Sequence, residues 1–596
     1  MRRGEGNQAL FGLLMDRKDV NRMSLCLIDG GKSRYQIIVA ADAGAAVRCA
    51  AGELAKYLAA MGGAAIPVRT DDTPACPWEL VVGRTNRLGA PRDADLKNDG
   101  YLLKTEEERL FILGENDRAC LYGVYGLLER HLGCRFLAAD VEKIPLRSRL
   151  EIPSLDETHI SPFEYREVYW YEAETDMDFA VKRGMNASIR EPYDDCHGGS
   201  IRYNGFVHTF KLYIPDEEFF DTHPEYFAMV NGKRQPGEYS QLCLTNPDVF
   251  SIMLERALKS IEAHPECSII SLSQNDGFNP CTCPECARVD AEEGGYSGTL
   301  IRFVNGLARE IGKRYPDLTI DTLAYRYTRQ APFKTKPEPN ICVRMCTIEC
   351  CFAHPIAECT DESDAEKVDD KPTKTLQEDF EDWGKICKRM FVWDYTTNFH
   401  HYLASFPNLR VLQDNIRYFI GRNVTGLFEQ GNAESVSGEF GELRAYLLTK
   451  LMWEPEGDVD KWMNEFLTGY YGQAAAPIRR YIDMLHDYVK DENVHVGIYN
   501  TPESYLPDWL LERAAVLWDE AELVAEDEDV WARVHRSRLQ LTYAELRRMP
   551  MDDPRRAEKM ARFASEVRAY GITRLQEGRD VEKTLSKLEK GDLTLV

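Results

Sequence analysis

The sequence predicts a multidomain α/β protein: a small α+β N-terminal domain, a central (β/α)8 TIM-like barrel and a C-terminal all-helical domain. Three observations predict it. The chain has 596 residues, more than one hydrophobic core needs. Between 160 and 435, eight short apolar runs, most rich in β-formers, alternate with helical or loop segments, which is the rhythm of a barrel. Beyond residue 437 strand signals stop and helical periodicity takes over.

Residues 1–30 read as an extension, and 31–155 as the α+β domain. There YQIIVA and WELVVG predict strands, and YLLKTEEERLFILGE predicts a hairpin. AAVRCAAGELAKYLAAMG and ACLYGVYGLLERHLGC have helical periodicity, each followed or closed by glycine or a turn. In 160–435 the eight expected strands are EYREVYWY (164–171), NASI (186–189), FVHTF (206–210), SIISLS (268–273), TIDTLAY (319–325), ICVRMCTIE (341–349), RMFVWDY (389–395) and VTGLFEQ (424–430). Helices fill several of the gaps. The stretch 211–247 reads as a long loop over the C-terminal rim, and 361–371 as a short acidic run. The remainder, 437–596, reads as helices only.

Apolar residues make up 44% and aromatics 10%, a globular composition. The formal net charge of −25 gives no electrostatic reason to bind nucleic acid or an anionic membrane. A neutral solute such as carbohydrate is the easier partner. No apolar run reaches the length of a membrane span. The N-terminal apolar run is too short for a secretory signal, so the 17 cysteines read as reduced thiols and the cytoplasm as the compartment. The oligomeric state is left open, a homo-oligomer included.

Chemistry concentrates at the strand ends. A barrel keeps its reactive groups at the C-terminal tips of its strands. Asn275-Asp276 ends the fourth expected strand, Tyr325 the fifth, Glu349 the sixth, Trp393-Asp394-Tyr395 the seventh and Glu429-Gln430 the eighth; His208 lies on the third. Glu167 or Tyr169 could point inward from the first. Carboxylates converging beside aromatics suit glycosidic-bond cleavage: one acid protonates the leaving oxygen, while a second attacks, activates water or orients an assisting group. Each residue also has a bland role. Asp276 in Asn-Asp-Gly could be a turn residue, Glu349 a partnered core acid, and His208 a satisfied core histidine.

CTCPEC (281–286) offers Cys281, Cys283 and Cys286 for a closed structural zinc, with Cys243, Cys351, His197 or His354 as the fourth ligand. A cysteine-rich turn without metal is the plain alternative. No cofactor is required by this reading. Walker, HExxH, GxGxxG and GxSxG motifs are all missing from the sequence.

The segment RACLYGVYGLLERHLGCRF resembles the small domain that precedes the barrel in family 20 β-hexosaminidases and family 67 α-glucuronidases. The pieces HTF (208–210), HPEYFAMVNGKR (223–234), QLCLTNPDV (241–249), SQNDG with CxCxxC (273–286), WDY (393–395), FEQG (428–431) and GEFGELRAYLLTKLMWEP (438–455) resemble a bacterial barrel family of unknown function. Some members of that family are classed in glycoside hydrolase family 163, which is similar to endo-β-N-acetylglucosaminidases acting on N-glycans. The resemblance implies a general acid at the end of the fourth strand, which falls on Asp276. Hexosaminidases carry Asp-Glu there, and this chain carries Asn-Asp. The combined expectation is a glycoside hydrolase with Asp276 as acid, Glu349 as second carboxylate, and Glu429 or Asp394 as partners. His208, Asn275, Tyr325, Trp393 and Tyr395 would contact sugar. The alternatives are a non-catalytic carbohydrate-binding barrel and a metal-dependent enzyme using the cysteines.

Overall fold

The computed structural model describes residues 24–87, 95–237, 240–361, 374–436 and 438–593. The expected N-terminal extension lies outside these residues up to position 23, as does the acidic run from 362 onward. From Ser24 the chain is structured: Leu25–Asp29 pairs antiparallel with Arg149–Ile152.

The N-terminal region forms a six-stranded mixed sheet in the order Asp156–His159, Tyr101–Glu106, Arg109–Gly114, Glu79–Val82, Gln36–Val39, Val68–Thr70. The hairpin and both helices fall where the periodicity puts them. Helix α1 is Ala45–Gly62, closed by Gly63 at φ 71°, a left-handed angle that favours glycine. Helix α2 is Asp117–Leu127, and the Asn116 side chain accepts a hydrogen bond from Ala119 N at 3.0 Å at its start. Their apolar faces share one core with Ile37, Val39, Leu80, Val82, Leu103 and Ile112 of the sheet.

Cys49 of α1 is disulfide-bonded to Cys196, 147 residues further along the chain. This corrects the expectation of uniformly reduced cysteines, on which part of the cytoplasmic reading rested. No helix among the described residues is long and apolar enough to cross a membrane.

The middle of the chain forms a curled, all-parallel sheet of seven strands: β1 (Tyr165–Tyr169), β2 (Tyr203–Asn204), β3 (Ile269–Ser271), β4 (Thr319–Ala324), β5 (Ile341–Cys346), β6 (Met390–Tyr395) and β7 (Val424–Gln430). The spatial order is β1-β7-β6-β5-β4-β3-β2. NASI forms no strand. It contributes a single parallel bridge, Ala187 to Ile201, and Asn186 N donates to Arg166 O at 3.3 Å. FVHTF is not a strand either. The strand lies just upstream at 203–204, His208 takes a left-handed φ of 55°, and a short helix starts at Phe210. Its side chains are apolar enough for a strand, but Thr209 Oγ1 and Phe210 N are bonded to Ser271 O and Ser273 O beside β3.

Side chains alternate between two layers. Tyr165, Ile269, Cys342, Phe391 and Phe428 form one cluster with Tyr203, Phe206 and Trp393 on the concave side. Val168, Ile270, Val343, Val392 and Leu427 instead belong to the core shared with the helices. Arg344 sits at the centre of the concave side, wholly buried, 3.3 Å from Asp321 Oδ2 and bonded to the Tyr203 hydroxyl. The rings of Tyr165, Tyr203, Phe206, Phe391 and Phe428 surround its guanidinium at 5.0–5.9 Å. A buried cation survives there because a carboxylate and five π-faces replace its water.

The glycines of FEQG and GEFG have a packing reason. A Cβ on Gly431, Gly438 or Gly441 would come within 3.0 Å of the Trp170 indole. The indole is buried, and its Nε1 donates to Thr396 Oγ1 at 2.9 Å. Downstream, helices run from Gly441–Trp453 to Val581–Glu589, interrupted by a two-stranded hairpin, Arg574–Gln576 with Arg579–Asp580, that the helical reading missed.

Candidate active site

Asp276 leaves the end of β3 on a loop that is fastened from several sides. Asn275 is buried. Its Oδ1 accepts from Lys211 N at 2.8 Å and its Nδ2 donates to Ser240 O at 2.7 Å. Gln241 completes the frame, accepting from Asn275 N and donating to Asn275 O and Gly277 O. Asn275 therefore spends its amide on the scaffold. Asp276, by contrast, keeps about half of its side chain open to solvent.

The Tyr325 hydroxyl donates to Asp276 Oδ1 at 3.3 Å, and the Arg326 guanidinium lies 3.9 Å from the same oxygen. Burial, then the charge of Asp276, pushes the Tyr325 phenol well up, so it remains a donor. The His208 ring lies 5.7 Å from the Tyr325 ring. Its Nδ1 is 2.9 Å from Gln274 O, and burial lowers its pKa. A neutral imidazole donating from Nδ1 leaves Nε2 as an acceptor.

Glu349 lies in the turn after β5, buried, with Arg329 Nη1 3.5 Å from its Oε2. Arg329 is also held by Asp379 at 2.8 Å. Cys346, at the end of β5, is a buried thiol that feels the charges of both Glu349 and Asp276. Burial pushes the phenol of Tyr395, on the concave side of β6, well up, with Glu349 among the charges that add to it. Tyr325, Cys346 and Tyr395 stand at the ends of three adjacent strands and so share one rim. Trp393 joins it through Nε1, which donates to Gln430 Oε1 at 2.7 Å, and its ring lies 6.3 Å from that of Tyr395.

Asp394 and Glu429 do not belong to this rim. They are register partners on β6 and β7, but they alternate with Trp393 and Phe428 and so share the layer of Val392 and Leu427 against the helices. Asp394 Oδ1 accepts from Thr347 Oγ1 at 2.5 Å. Neither Glu429 oxygen has a hydrogen-bond partner among the described residues. Burial pushes Asp394 up to about 6, and burial together with Asp394 pushes Glu429 well above the carboxylate range. Both therefore hold protons that the unfolded chain releases at lower pH, so stability falls as pH rises through about 4 to 6 and beyond. Glu429→Gln is expected to raise the melting temperature at about pH 8 and flatten its decline above about pH 5. Thermal melts across that range check it; an unchanged slope would remove Glu429 as the cause.

Sequence reasoning missed Glu577. It sits at the tip of the C-terminal hairpin, its N–H donating to Phe399 O, while Gln430 Nε2 donates to its Oε1 at 3.2 Å. It is exposed at its surface, yet desolvation in the crevice, then Glu434, push it up to about 7, with Asp276 adding to the effect. Only the turn signal Glu-Gly in LQEGRD hinted at a hairpin. Glu174 also goes unmarked in the sequence, beside the inward-pointing Glu167. Glu167 faces inward from β1, bonded to the Tyr165 hydroxyl and to Ile189 N, and burial pushes it up to about 7; Glu174 accepts from Ser188 Oγ at 2.9 Å. A cavity of 370 Å³ lies elsewhere, between 188–192 and 201–206, where the strands meet by one bridge; none of Asp276, Glu349 or Glu577 lines it.

Cys243, Cys281, Cys283 and Cys286 come together, buried, with all four Sγ atoms within 4.8 Å of one another. Cys243 Sγ is 3.7 Å from Cys283 Sγ and 3.9 Å from Cys286 Sγ. A tetrahedral zinc with Zn–S of ~2.3 Å sets thiolate edges of ~3.8 Å, so the donor set fits. Of the four candidates for the last ligand, the fold supplies Cys243. His197 is instead held between Asp178 and Asp194, and Cys351 and His354 lie in another cluster. The cysteines join the 211–247 segment to the loop after Asp276.

This architecture, with a parallel curled sheet behind a small α+β domain, is similar in fold to a solved glycoside hydrolase. A family GH115 4-O-methyl-α-glucuronidase, BtGH115A, with specificity for decorated arabinogalactans, superposes with a TM-score of 0.56 at 12% identity, over 92% of this chain and 77% of that one. CpGH89 from Clostridium perfringens, solved with GlcNAc-α-1,4-galactose, gives 0.48 at 10% identity over 88% and 65%. A Streptomyces plicatus β-hexosaminidase gives 0.42 at 11% over 76% and 93%. Residues 29–127 match the N-terminal domain of glycosyl hydrolase family 67. Residues 136–483, more than half of the chain, match the domain of unknown function DUF4838, and the chain belongs to that family. No curated protein matches it.

Proposed function

We propose that the protein is a glycoside hydrolase built on a (β/α)8 barrel whose second strand is reduced to the Ala187 bridge. The observation that carries the reading is the contact of Asp276 with Tyr325 at the open rim, with Glu349 in the turn after the adjacent strand β5 and Glu577 bonded to Gln430. Asp276 would exchange the proton with the glycosidic oxygen. Glu349, given a countercharge by Arg329, would be the second carboxylate, facing the developing oxocarbenium ion as nucleophile, base or orienting group. His208, Tyr325, Trp393 and Tyr395 would contact the sugar, flat ring against flat ring and hydroxyl to hydroxyl. The wholly buried Arg344 would close the floor. Asp394, Glu429 and Asn275 are then structural.

A β-N-acetylglucosaminide or related oligosaccharide is the substrate class to test first, on the strength of the resemblance to family 163. The experiment is a panel of aryl glycosides and oligosaccharides assayed with the full chain. Turnover that persists in both Asp276→Asn and Glu349→Gln would sink the assignment. The second reading, a carbohydrate-binding barrel without turnover, is favoured by the Arg326 guanidinium beside Asp276. Calorimetric binding with no product by mass spectrometry would select it.

The four-cysteine cluster would hold a structural zinc that fixes the Asp276 loop. Cys243→Ser is expected to lower the metal content by one ion per chain and the melting temperature with it, read by elemental analysis and thermal melting. Full metal content in the variant would refute this role.

A further inference from the structure

A second group of ligand-type side chains lies on the far side of the rim. Cys351, His354, Cys359 and His495 place one donor atom each within 4.8 Å of the others. Cys351 Sγ is 3.4 Å from His354 Nδ1, and Cys359 Sγ is 3.6 Å from His495 Nδ1. The two imidazoles lie 4.9 Å apart at an angle of 52°, so they meet obliquely and do not stack. A tetrahedral ion with Zn–S of ~2.3 Å and Zn–N of ~2.0–2.1 Å sets sulfur–nitrogen edges of ~3.6 Å. Both observed edges match it. Both cysteines are free thiols here.

We infer that Cys351, His354, Cys359 and His495 form a second, Cys2His2 zinc site. Two thiolates and two neutral imidazoles balance the dication. The surroundings fit a ligated state. Asn493 Nδ2 lies 3.1 Å from His495 Nε2, and the amide, turned to present its oxygen, would accept a hydrogen bond from Nε2–H with Nδ1 on the metal. Asp361 Oδ2 lies 3.3 Å from His495 Nδ1, a carboxylate at the edge of the site.

The site joins two distant parts of the chain. Three ligands follow β5 in the turn that begins with Glu349, and the fourth belongs to the segment after helix Ala475–Asp491. Phe352 N already donates to Val496 O at 2.8 Å across the same junction. The ion would therefore clamp the Glu349 turn to the helical region. The metal assignment stands without the hydrolase reading; only the positioning of Glu349 rests on it.

The test is metal counting on the full chain, purified without chelator and without added metal. The expected result is two zinc ions per chain. The Cys351→Ser/Cys359→Ser variant and, separately, His495→Gln should each hold one, while Cys243→Ser retains the ion of this second site. In cobalt-substituted protein, the thiolate-to-metal charge-transfer absorption should drop by two thiolates' worth in the Cys351/Cys359 variant, as against four for loss of the other site. One ion per chain in the wild-type protein, with Cys243→Ser holding none, would overturn the proposal. So would peptide mapping that finds a Cys351–Cys359 disulfide. If a variant fails to fold, the wild-type cobalt spectrum decides: charge-transfer intensity of six thiolates supports both sites, and that of four refutes this one.

Discussion

Asp276→Asn is expected to lower turnover about 10²–10⁴-fold, the range for loss of a positioned acid. The loss should depend on the leaving group. An aryl glycoside whose phenol leaves readily needs little protonation and should lose least; an oligosaccharide, whose alkoxide is a poor leaving group, should lose most. A uniform loss across that series would remove Asp276 as the proton donor and leave it a structural role. Asp276 forms one hydrogen bond and one long-range ion pair in a half-open setting, so the variant should melt close to the parent.

Glu349→Ala combines two effects that must be separated. Chemically, loss of the second carboxylate should reduce turnover at least about 10²–10³-fold, as for removal of a transition-state charge partner. Structurally, Arg329 loses one of its two buried carboxylates, and breaking a buried pair costs about 3–5 kcal/mol. Azide in the assay distinguishes them. If Glu349 acts as nucleophile or base, azide occupying the space left by the side chain should restore part of the rate and yield a glycosyl azide. A folded variant with undiminished turnover would exclude Glu349. The anomeric configuration of the azide product would then separate attack on the substrate from attack on a covalent intermediate.

Much of the architecture was legible because it rests on periodicity. Helix α1, the 101–114 hairpin and β3 through β7 came from apolar alternation and turn residues alone. FVHTF misled because its composition suits a strand, whereas its conformation is set by bonds to β3 that only the tertiary fold supplies. The site was less legible for a geometric reason. Strand-end position nominated Asp394 and Glu429 as readily as Trp393 and Tyr395, but a strand sends neighbouring residues to opposite faces, and a one-residue difference decides between rim and helix layer. Cys243 could be picked as zinc ligand only once the 211–247 segment was seen folded back onto CTCPEC. His495, some 140 residues from Cys351, carried no spacing signal at all.

Glu577 reaches the rim from a hairpin 301 residues beyond Asp276. During synthesis the barrel strands therefore leave the ribosome long before the rim can be completed. A nascent chain can hold a finished sheet, and a nearly finished cleft, while still lacking the carboxyl that borders Gln430 and Trp393. Whatever the rim does with Glu577 waits until the hairpin docks against Phe399 and Tyr402.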